Sequence, residues 1–361
     1  MKESHPLLIN LSVIFSKPTG ISTYILNILP YLKNLDPTLL TAIPRADFTC
    51  YPIPDDMAPD RGGKGHLKRL LWTQFQLPRI YRELNANLLF SPLPEAPLDA
   101  GCRFVVMVHD LIPLRFPSAT SPLTYYFRYR VPGILQRAEH ILCNSHATAR
   151  DIIEVFKIPE SKITPIPLAY DKEHFRPIEV PEPEIPYFLY LGRPNAYKNL
   201  DRLIEAFADL DRGSDHHLWI AGAFDRRYTP TLQRRARELG AGDRVKFLDY
   251  LSYADLPRVF NQATALVFPS LWEGFGLPVL EAMACGTPVI TSNLSSLPEV
   301  AGDAAILVNP YRTEEITEAM RVMAGDGKTR SRLRDRGIER ASAFSWEKTA
   351  LATGEILNRY F

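Results

Sequence analysis

A chain of 361 residues, 46% of them hydrophobic and 23% charged, has an ordinary globular composition. At roughly 100–200 residues per domain its length suggests two domains. Its 42 Lys and Arg stand against 41 Asp and Glu, and this net charge of +1 provides no global field for nucleic acid or an acidic polymer. The four cysteines, Cys50, Cys102, Cys143 and Cys285, are far apart and form no CxxC pair. Neither a metal cluster nor a disulfide framework is expected, and a reducing cytoplasm fits.

The apolar run from Leu7 to Phe15 is broken by Asn10 and Ser12, and no small-residue cleavage site follows, so it reads as a first buried strand and not a signal peptide. No run of about 18 apolar residues occurs, so no membrane span is expected. A turn, Ser16 to Gly20, leads to Ile21, Ile25, Ile28, Leu29 and Leu32 at helix spacing. Residues 61–82 carry Arg61, Lys64, Lys68, Arg69, Arg79 and Arg82 among Leu67, Leu70, Leu71, Trp72, Phe75 and Leu77. Such a helix either rests on an anionic membrane face or packs on its own domain with its charges at the rim; the packed reading is preferred. Phe104 to Val108 reads as a buried strand ending at His109-Asp110. Ile141 to Cys143 reads as another, followed by a helix from His146 to Lys157.

Residues 159–186 are rich in proline and form the linker candidate. Beyond them, strands are expected at 187–192, 217–222, 245–250, 265–270, 287–292 and 304–309. Between the first two, Leu200, Leu203, Ile204, Phe207 and Leu210 form one apolar helical stripe. Strand–helix alternation implies parallel sheets covered by helices on both faces. The fold class is therefore α/β, with two doubly wound Rossmann-like domains facing each other across a cleft. Ligands of such sheets bind at the carboxyl ends of the strands.

The strongest motif is Glu273-Gly274-Phe275-Gly276-Leu277-Pro278-Val279-Leu280-Glu281, directly after the strand Ala265 to Ser270. Gly274 and Gly276 permit a tight turn and close approach to a ligand. Pro278 suits the first turn of a helix. A helix amino terminus at a strand's carboxyl edge favours phosphate. Glu273 and Glu281 would accept hydrogen bonds from sugar and ribose hydroxyls on either side of it. A second motif, Leu191 to Asn199, places Arg193 and Lys198 after the first strand beyond the linker. Cations there would neutralise charge on a leaving diphosphate. Gly20 lies in the first strand-to-helix turn, without the GxGxxG fingerprint. His109 either bonds a sugar hydroxyl or departing phosphate, or is a satisfied structural histidine. Gly327-Lys328-Thr329 fails as a phosphate loop because position 322 is Val, and Asn293-Leu294-Ser295 reads as a chance sequon. No DxD, GxSxG or HExxH motif occurs, and no metal ligand is assigned.

The segment from Glu273 to Glu281 resembles the EX7E motif of the retaining glycosyltransferases of family 4, which have the GT-B fold. Gly192-Arg193 with Lys198-Asn199 resembles that family's diphosphate site, and Gly20 to Tyr24 its amino-terminal glycine loop. Thr23 departs from the small or basic residue often found there. His109 to Pro113 resembles a segment of its mannosyltransferase-like members. The resemblance covers nearly the whole chain. It implies domains at 1–170 and 171–344, with a helix at 345–361 that returns to the first domain. It also implies that Glu273, Gly274, Phe275, Gly276, Leu277 and Glu281 bind the donor, Glu273 at the sugar and Glu281 at the ribose. Arg193 and Lys198 would hold the diphosphate, Gly20 would admit it, and His109 would lie beside the transferred sugar. The base would be held near Leu251.

On this resemblance the expected activity is metal-independent, front-face transfer of a hexose from a nucleotide diphosphate sugar, with retention at the anomeric carbon and no cofactor. GDP-mannose is the first reading of the donor and UDP-sugars the next. The acceptor is read as a hydroxyl of a glycan or polyprenyl-linked molecule in cell-surface polysaccharide synthesis. The expected location is cytoplasmic, with peripheral contact at the inner face of the membrane and no nucleic-acid partner. Two other classes are weighed, a nicotinamide-dependent oxidoreductase and a non-catalytic nucleotide-sugar-binding protein. The missing GxGxxG counts against the first, and the presence of both glutamates and both cations against the second.

Overall fold

The computed structural model describes residues 6–14, 20–57, 62–98, 101–210, 214–249 and 251–361. The turn expected at 16–19 and Arg61 lie outside the described residues. The chain divides into two compact units: Met1–Leu168 with Trp346–Phe361, and Ala169–Ser345.

The first unit holds seven strands: β1 (Leu7–Asn10), β2 (Thr38–Thr41), β3 (Thr49–Pro52), β4 (Leu88–Ser91), β5 (Phe104–Val108), β6 (His140–Cys143) and β7 (Ile163–Pro165). They form one sheet in the order β3-β2-β1-β4-β5-β6-β7. The second unit holds β8 (Tyr187–Leu191), β9 (His217–Ala221), β10 (Val245–Leu248), β11 (Ala265–Phe268), β12 (Val289–Ser292) and β13 (Ile306–Val308). Their order is β10-β9-β8-β11-β12-β13. Every described pairing is parallel. The α/β class expected from the alternation is what the structure has, twice over. Central strands such as β5, β6, β11 and β12 are buried along their whole length, because helices cover both faces.

Both sheets reverse their winding once, between β1 and β4 and between β8 and β11. Where connections on either side of two neighbouring strands run in opposite directions, the loops leaving them part and open a crevice. Gly20 belongs to the connection after β1 and His109 follows β5. Gly192 to Lys198 follow β8 and Glu273 follows β11.

Several boundaries differ from the sequence reading for local reasons. The first strand stops at Asn10, whose Oδ1 accepts from the Ser12 amide at 3.1 Å, so the two polar residues that interrupt the apolar run also end the strand. The stretch read as one helix at 61–82 is two, Gly62–Phe75 and Leu77–Glu83, because Pro78 has no amide with which to continue the first. The division between the two units, at Leu168 and Ala169, falls inside the proline-rich stretch 159–186, whose first part still belongs to the sheet. Ile163 to Pro165 pair with β6 as an edge strand, where a proline costs no ladder bond to a further neighbour. Ile166 and Leu168 behind it are buried.

The last helix, Trp346–Tyr360, completes the first unit. Thr353 meets the Tyr24 hydroxyl at 3.5 Å, Thr349 Oγ1 donates to the Pro167 carbonyl at 2.7 Å, and Tyr360 meets His140 at 3.1 Å. Ile356 and Leu357 are buried. No helix among the described residues is long and apolar enough to cross a membrane. Leu357→Ala is expected to lower unfolding free energy by about 2–4 kcal/mol in urea denaturation, the cost of a cavity at a fully buried leucine. A loss below about 1 kcal/mol would mean that the helix does not hold its place.

Candidate functional site

In the second unit the loops leaving β8 and β11 are tied together three times. The Leu271 amide donates to the Tyr197 carbonyl at 2.8 Å. Asn199 Nδ2 donates to the Pro269 carbonyl at 3.1 Å and to the Pro310 carbonyl at 2.6 Å. Lys198 Nζ donates to Glu273 Oε1 at 2.6 Å, with the two side chains 13% and 10% exposed. The same ammonium lies 5.1 Å from the ring centroids of Tyr197 and Phe268, so ring faces as well as a carboxylate hold it.

Arg193 is placed differently. Its side chain is 69% exposed and lies 3.2 Å from Asp225 Oδ2. Asp225 is buried, and Arg227 also bonds it through its side chain and backbone. The Arg227 hydrogen bonds hold this carboxyl well below the usual carboxylate range. The acid anchors two guanidinium groups that stay largely exposed. This loop sits hard against its neighbour: a Cβ on Gly222 would stand 2.2 Å from the Gly192 carbonyl oxygen, so only glycine fits there.

The segment Glu273–Glu281 is a loop followed by the helix Leu277–Ala284. Two consecutive serines pin the loop. Ser295 Oγ accepts from the Glu273 amide and donates to its carbonyl, both at 2.8 Å. Ser296 Oγ lies 3.0 Å from the Glu273 carbonyl and 2.9 Å from that of Phe275. Gly276 turns the chain with φ of 105°, and its position before the helix provides no side-chain cap for the first amides. Gly274 and Phe275 are buried beneath this turn, Phe275 edge-on to Phe344 at 6.0 Å, and Leu277 is half-buried. Glu281, half-buried on the helix, has its pKa pushed up to about 7 by burial. Leu251 is half-buried beyond β10 and does not line the nearby cavity of about 50 Å³, which Pro194, Gly222, Phe247 and Asp249 enclose.

In the first unit His109 Nε2 lies 3.0 Å from the Pro92 carbonyl, and its ring meets Tyr24 edge-on at 5.4 Å. A carbonyl only accepts, so Nε2 carries the proton and Nδ1 is left as an acceptor. Burial lowers the imidazole pKa to about 4, so it is neutral near pH 7. A neutral ring with an accepting Nδ1 suits a hydroxyl and not a phosphate oxygen. His109 lines a cavity of about 260 Å³ with Asp110, His66, Arg69, Glu95 and Tyr126, among others. Arg69 and Glu95 form a buried bidentate pair at 2.8 and 2.9 Å, which cancels their charges. Gly20, the first residue of the helix Gly20–Ile28, is exposed, and a Cβ there would meet nothing within 4 Å. Among the described residues no cluster of His, Cys, Asp and Glu could hold a metal ion.

Sequence reasoning missed Asn199 as a brace and also missed Ser295, Ser296, Asp225 and the Arg69–Glu95 pair. Ser295-Ser296 before Leu297-Pro298 carries a helix-start signal but nothing that names a partner 22 residues away. Asp225 and Glu95 look like any loop carboxylate until their burial is known.

Twin six- and seven-stranded parallel sheets, each with chemistry-bearing loops at its reversal, define the GT-B class of nucleotide-sugar transferases. HepE of Anabaena, solved in complex with UDP-glucose, superposes with a TM-score of 0.76 at 17% identity, covering 99% of this chain and all of that one. Sucrose-phosphate synthase from Thermosynechococcus elongatus gives 0.75 at 20% identity over 99% of both chains. The model "Glycosyltransferase Family 4" matches residues 18–174 and "Glycosyl transferases group 1" matches residues 171–340. Escherichia coli O-antigen chain mannosyltransferase B is 31% identical over 72% of this chain and 70% of its own length. O-antigen chain mannosyltransferase RfbU of Salmonella typhimurium is 27% identical over 84% and 87%. The chain belongs to the family 4 glycosyltransferases.

Raising the Glu281 pKa from 4.5 to about 7 means that the folded chain holds this proton more tightly than the unfolded one. Its contribution to stability is present at low pH and is lost as pH rises between those two values. Glu281→Gln is therefore expected to exceed the parent's unfolding free energy by about 1–3 kcal/mol at pH 8, with the gain gone near pH 4.5. Urea denaturation at the two pH values checks this; an equal effect at both would contradict it.

Proposed function

We propose that this glycosyltransferase transfers a hexose, mannose from GDP-mannose in the first reading, to a hydroxyl of a glycan or polyprenyl-linked acceptor, with retention at the anomeric carbon and no metal requirement. The relatives named for O-antigen mannosyl transfer support the sugar and the polysaccharide setting. UDP-sugars are the alternative donors.

The Lys198–Glu273 pair across the β8–β11 reversal is the observation that carries this reading. In this reading Lys198 is the cation that meets the charge gained by a leaving diphosphate, and Glu273 beside it accepts from the sugar's hydroxyls. Arg193 supplies a second cation, and the helix amino terminus at Leu277 supplies oriented amides. Glu281 accepts from the ribose hydroxyls in its ionised form. His109 accepts from a hydroxyl of the transferred sugar through Nδ1. Gly20 leaves room for the diphosphate, and the segment near Leu251 holds the base.

In the proposed step the acceptor oxygen attacks the anomeric carbon from the face the diphosphate leaves. The bond to the leaving phosphate oxygen breaks, and that oxygen takes the acceptor's proton. No side chain becomes covalently bonded, unlike the carboxylate nucleophile of a retaining hydrolase. Peripheral contact with the inner face of the membrane is part of this proposal, since a polyprenyl-linked acceptor is presented there.

Heat stabilisation by a panel of GDP, UDP, ADP, TDP and, as control, NAD tests the donor assignment, because a ligand that binds only the folded state raises its stability. One diphosphate is expected to shift the melting temperature, with most of the shift lost in Lys198→Ala. A shift with NAD alone, or with none, would overturn the reading. Because Lys198 and Glu273 partner each other, Lys198→Ala and Glu273→Ala are each expected to cost about 1–3 kcal/mol of stability. Turnover should fall by about 10²-fold or more in each. A folded variant of either kind with near-parental turnover would remove the residue from the site.

A further inference from the structure

Of the residues lining the cavity of about 260 Å³ in the first unit, His109 has a part in the donor reading and the others have none. Arg69 comes to it from the helix Gly62–Phe75, and Glu95 from the chain that follows β4. Their side chains are only 4% and 5% exposed. Nε and Nη2 of Arg69 donate to the two Glu95 oxygens, and Nη2 also donates to His66 Nδ1 at 2.8 Å. Nη1 is buried and has no partner among the described residues. A buried donor left without a partner is costly, and in a native structure such a group calls for a water or a ligand.

These bonds set the polarity of the cavity. A guanidinium only donates, so His66 Nδ1 accepts and its Nε2 carries the proton. Burial lowers the His66 pKa, as it does that of His109, and both rings are neutral near pH 7. The two imidazoles are therefore opposite in kind: His66 keeps a donor and His109 an acceptor. Among the described lining residues Arg69 is the single cation, and it stands with two acids, Glu95 and Asp110. Glu95 cancels its charge, so the cavity has no positive charge to spare. Tyr126 donates its hydroxyl to the Pro94 carbonyl at 2.9 Å, and its ring stands edge to face with that of Phe127 at 6.3 Å, which gives the lining an aromatic side.

We propose that this cavity is a subsite for the acceptor's terminal sugar and that it selects an uncharged pyranose ring, whose hydroxyls bond Arg69, His66 and His109 and whose C–H face rests on Tyr126 and Phe127. A sugar hydroxyl both donates and accepts, so a lining that offers both kinds of group suits it. A uronate or a sugar phosphate would meet Glu95 and Asp110 without a free cation to offset them, and is rejected. The volume lies just under the roughly 300–1,000 Å³ of sites for drug-sized ligands, which fits a single ring. His109 belongs to this lining and, in the donor reading, to the surroundings of the transferred sugar, so a ring held here lies beside that sugar, where an attacking hydroxyl has to be. The inference rests on the transferase reading and adds to it the chemical class of the acceptor's terminal residue.

Saturation-transfer NMR on the full chain with methyl α-mannopyranoside, glucuronate and mannose 6-phosphate as probes tests it. The methyl mannoside is expected to receive saturation, and the two charged sugars at least about fivefold less. Arg69→Met with Glu95→Gln removes the ion pair as a whole and leaves no buried charge unpaired, while His66→Phe keeps a ring and removes the donor. Each should lower the methyl mannoside signal at least about fivefold. The melting-temperature shift with nucleotide diphosphate should persist in both, which also shows that they are folded; if the double variant does not fold, His66→Phe decides. No signal in the parent, equal signals from the charged sugars, or an undiminished signal in a folded variant would overturn the proposal. A nucleotide shift without a sugar signal would remove the subsite and leave the donor reading standing. A sugar signal without any nucleotide shift would sink the transferase reading and leave a site for a neutral sugar.

Discussion

The Lys198–Glu273 ion pair spans the two loops that part where the second sheet reverses its winding, and the candidate site is organised around it. Taking two charges out of water is expensive, and a nearly buried pair is a weak source of stability. Its value lies in fixing charge before a ligand arrives. A lysine on a four-carbon stem would otherwise sample many positions; here Glu273, Tyr197 and Phe268 confine it. Preorganised charge of this kind needs little rearrangement when a leaving group develops its own. Asn199 and the Ser295–Ser296 pair serve the same end by locking the two loops that carry the pair.

The two units meet the problem of charge in opposite ways. The second keeps cations available: Arg193 remains largely exposed with an acid at its back. The first neutralises what it holds. Its histidine is uncharged near pH 7, and its buried arginine is matched by Glu95 in a two-point contact. The cavity of the first unit therefore presents hydrogen-bonding groups with little net charge, whereas the loops of the second unit present cations. Glu281 stands between these regimes, a carboxyl whose burial keeps its proton affinity near neutrality.

Much of this could be read from sequence because period and punctuation are local signals. The alternation of apolar runs with helical stripes specified twin parallel sheets, and Gly274, Gly276 and Pro278 marked a strand–loop–helix junction. What could not be read depends on partners distant in the chain. Nothing near Asn199 says that it reaches Pro269 and Pro310, and nothing near Ser295 says that it holds Glu273. The small cavity near Leu251 shows the same dependence: which residues enclose it is set by β8 and β9 as much as by the loop after β10. The proline-rich stretch does contain the division between the two units, at Leu168 and Ala169, but composition could not show that its first residues, Ile163 to Pro165, still pair with a strand.

The last helix has a consequence for the order in which the molecule can be made. Residues 169–345 contain all of the second unit, so it can finish folding as soon as it leaves the ribosome. The first unit, although mostly synthesised earlier, lacks Trp346–Tyr360 until the chain has grown past them. During that interval the side chains that Ile356 and Leu357 later help to cover stay open to solvent. The nascent chain thus carries an unfinished first unit throughout the synthesis of the second. A chain cut short at Ser345 would keep all residues of the second unit and leave an exposed apolar seam on the first, the kind of species that chaperones hold or proteases remove.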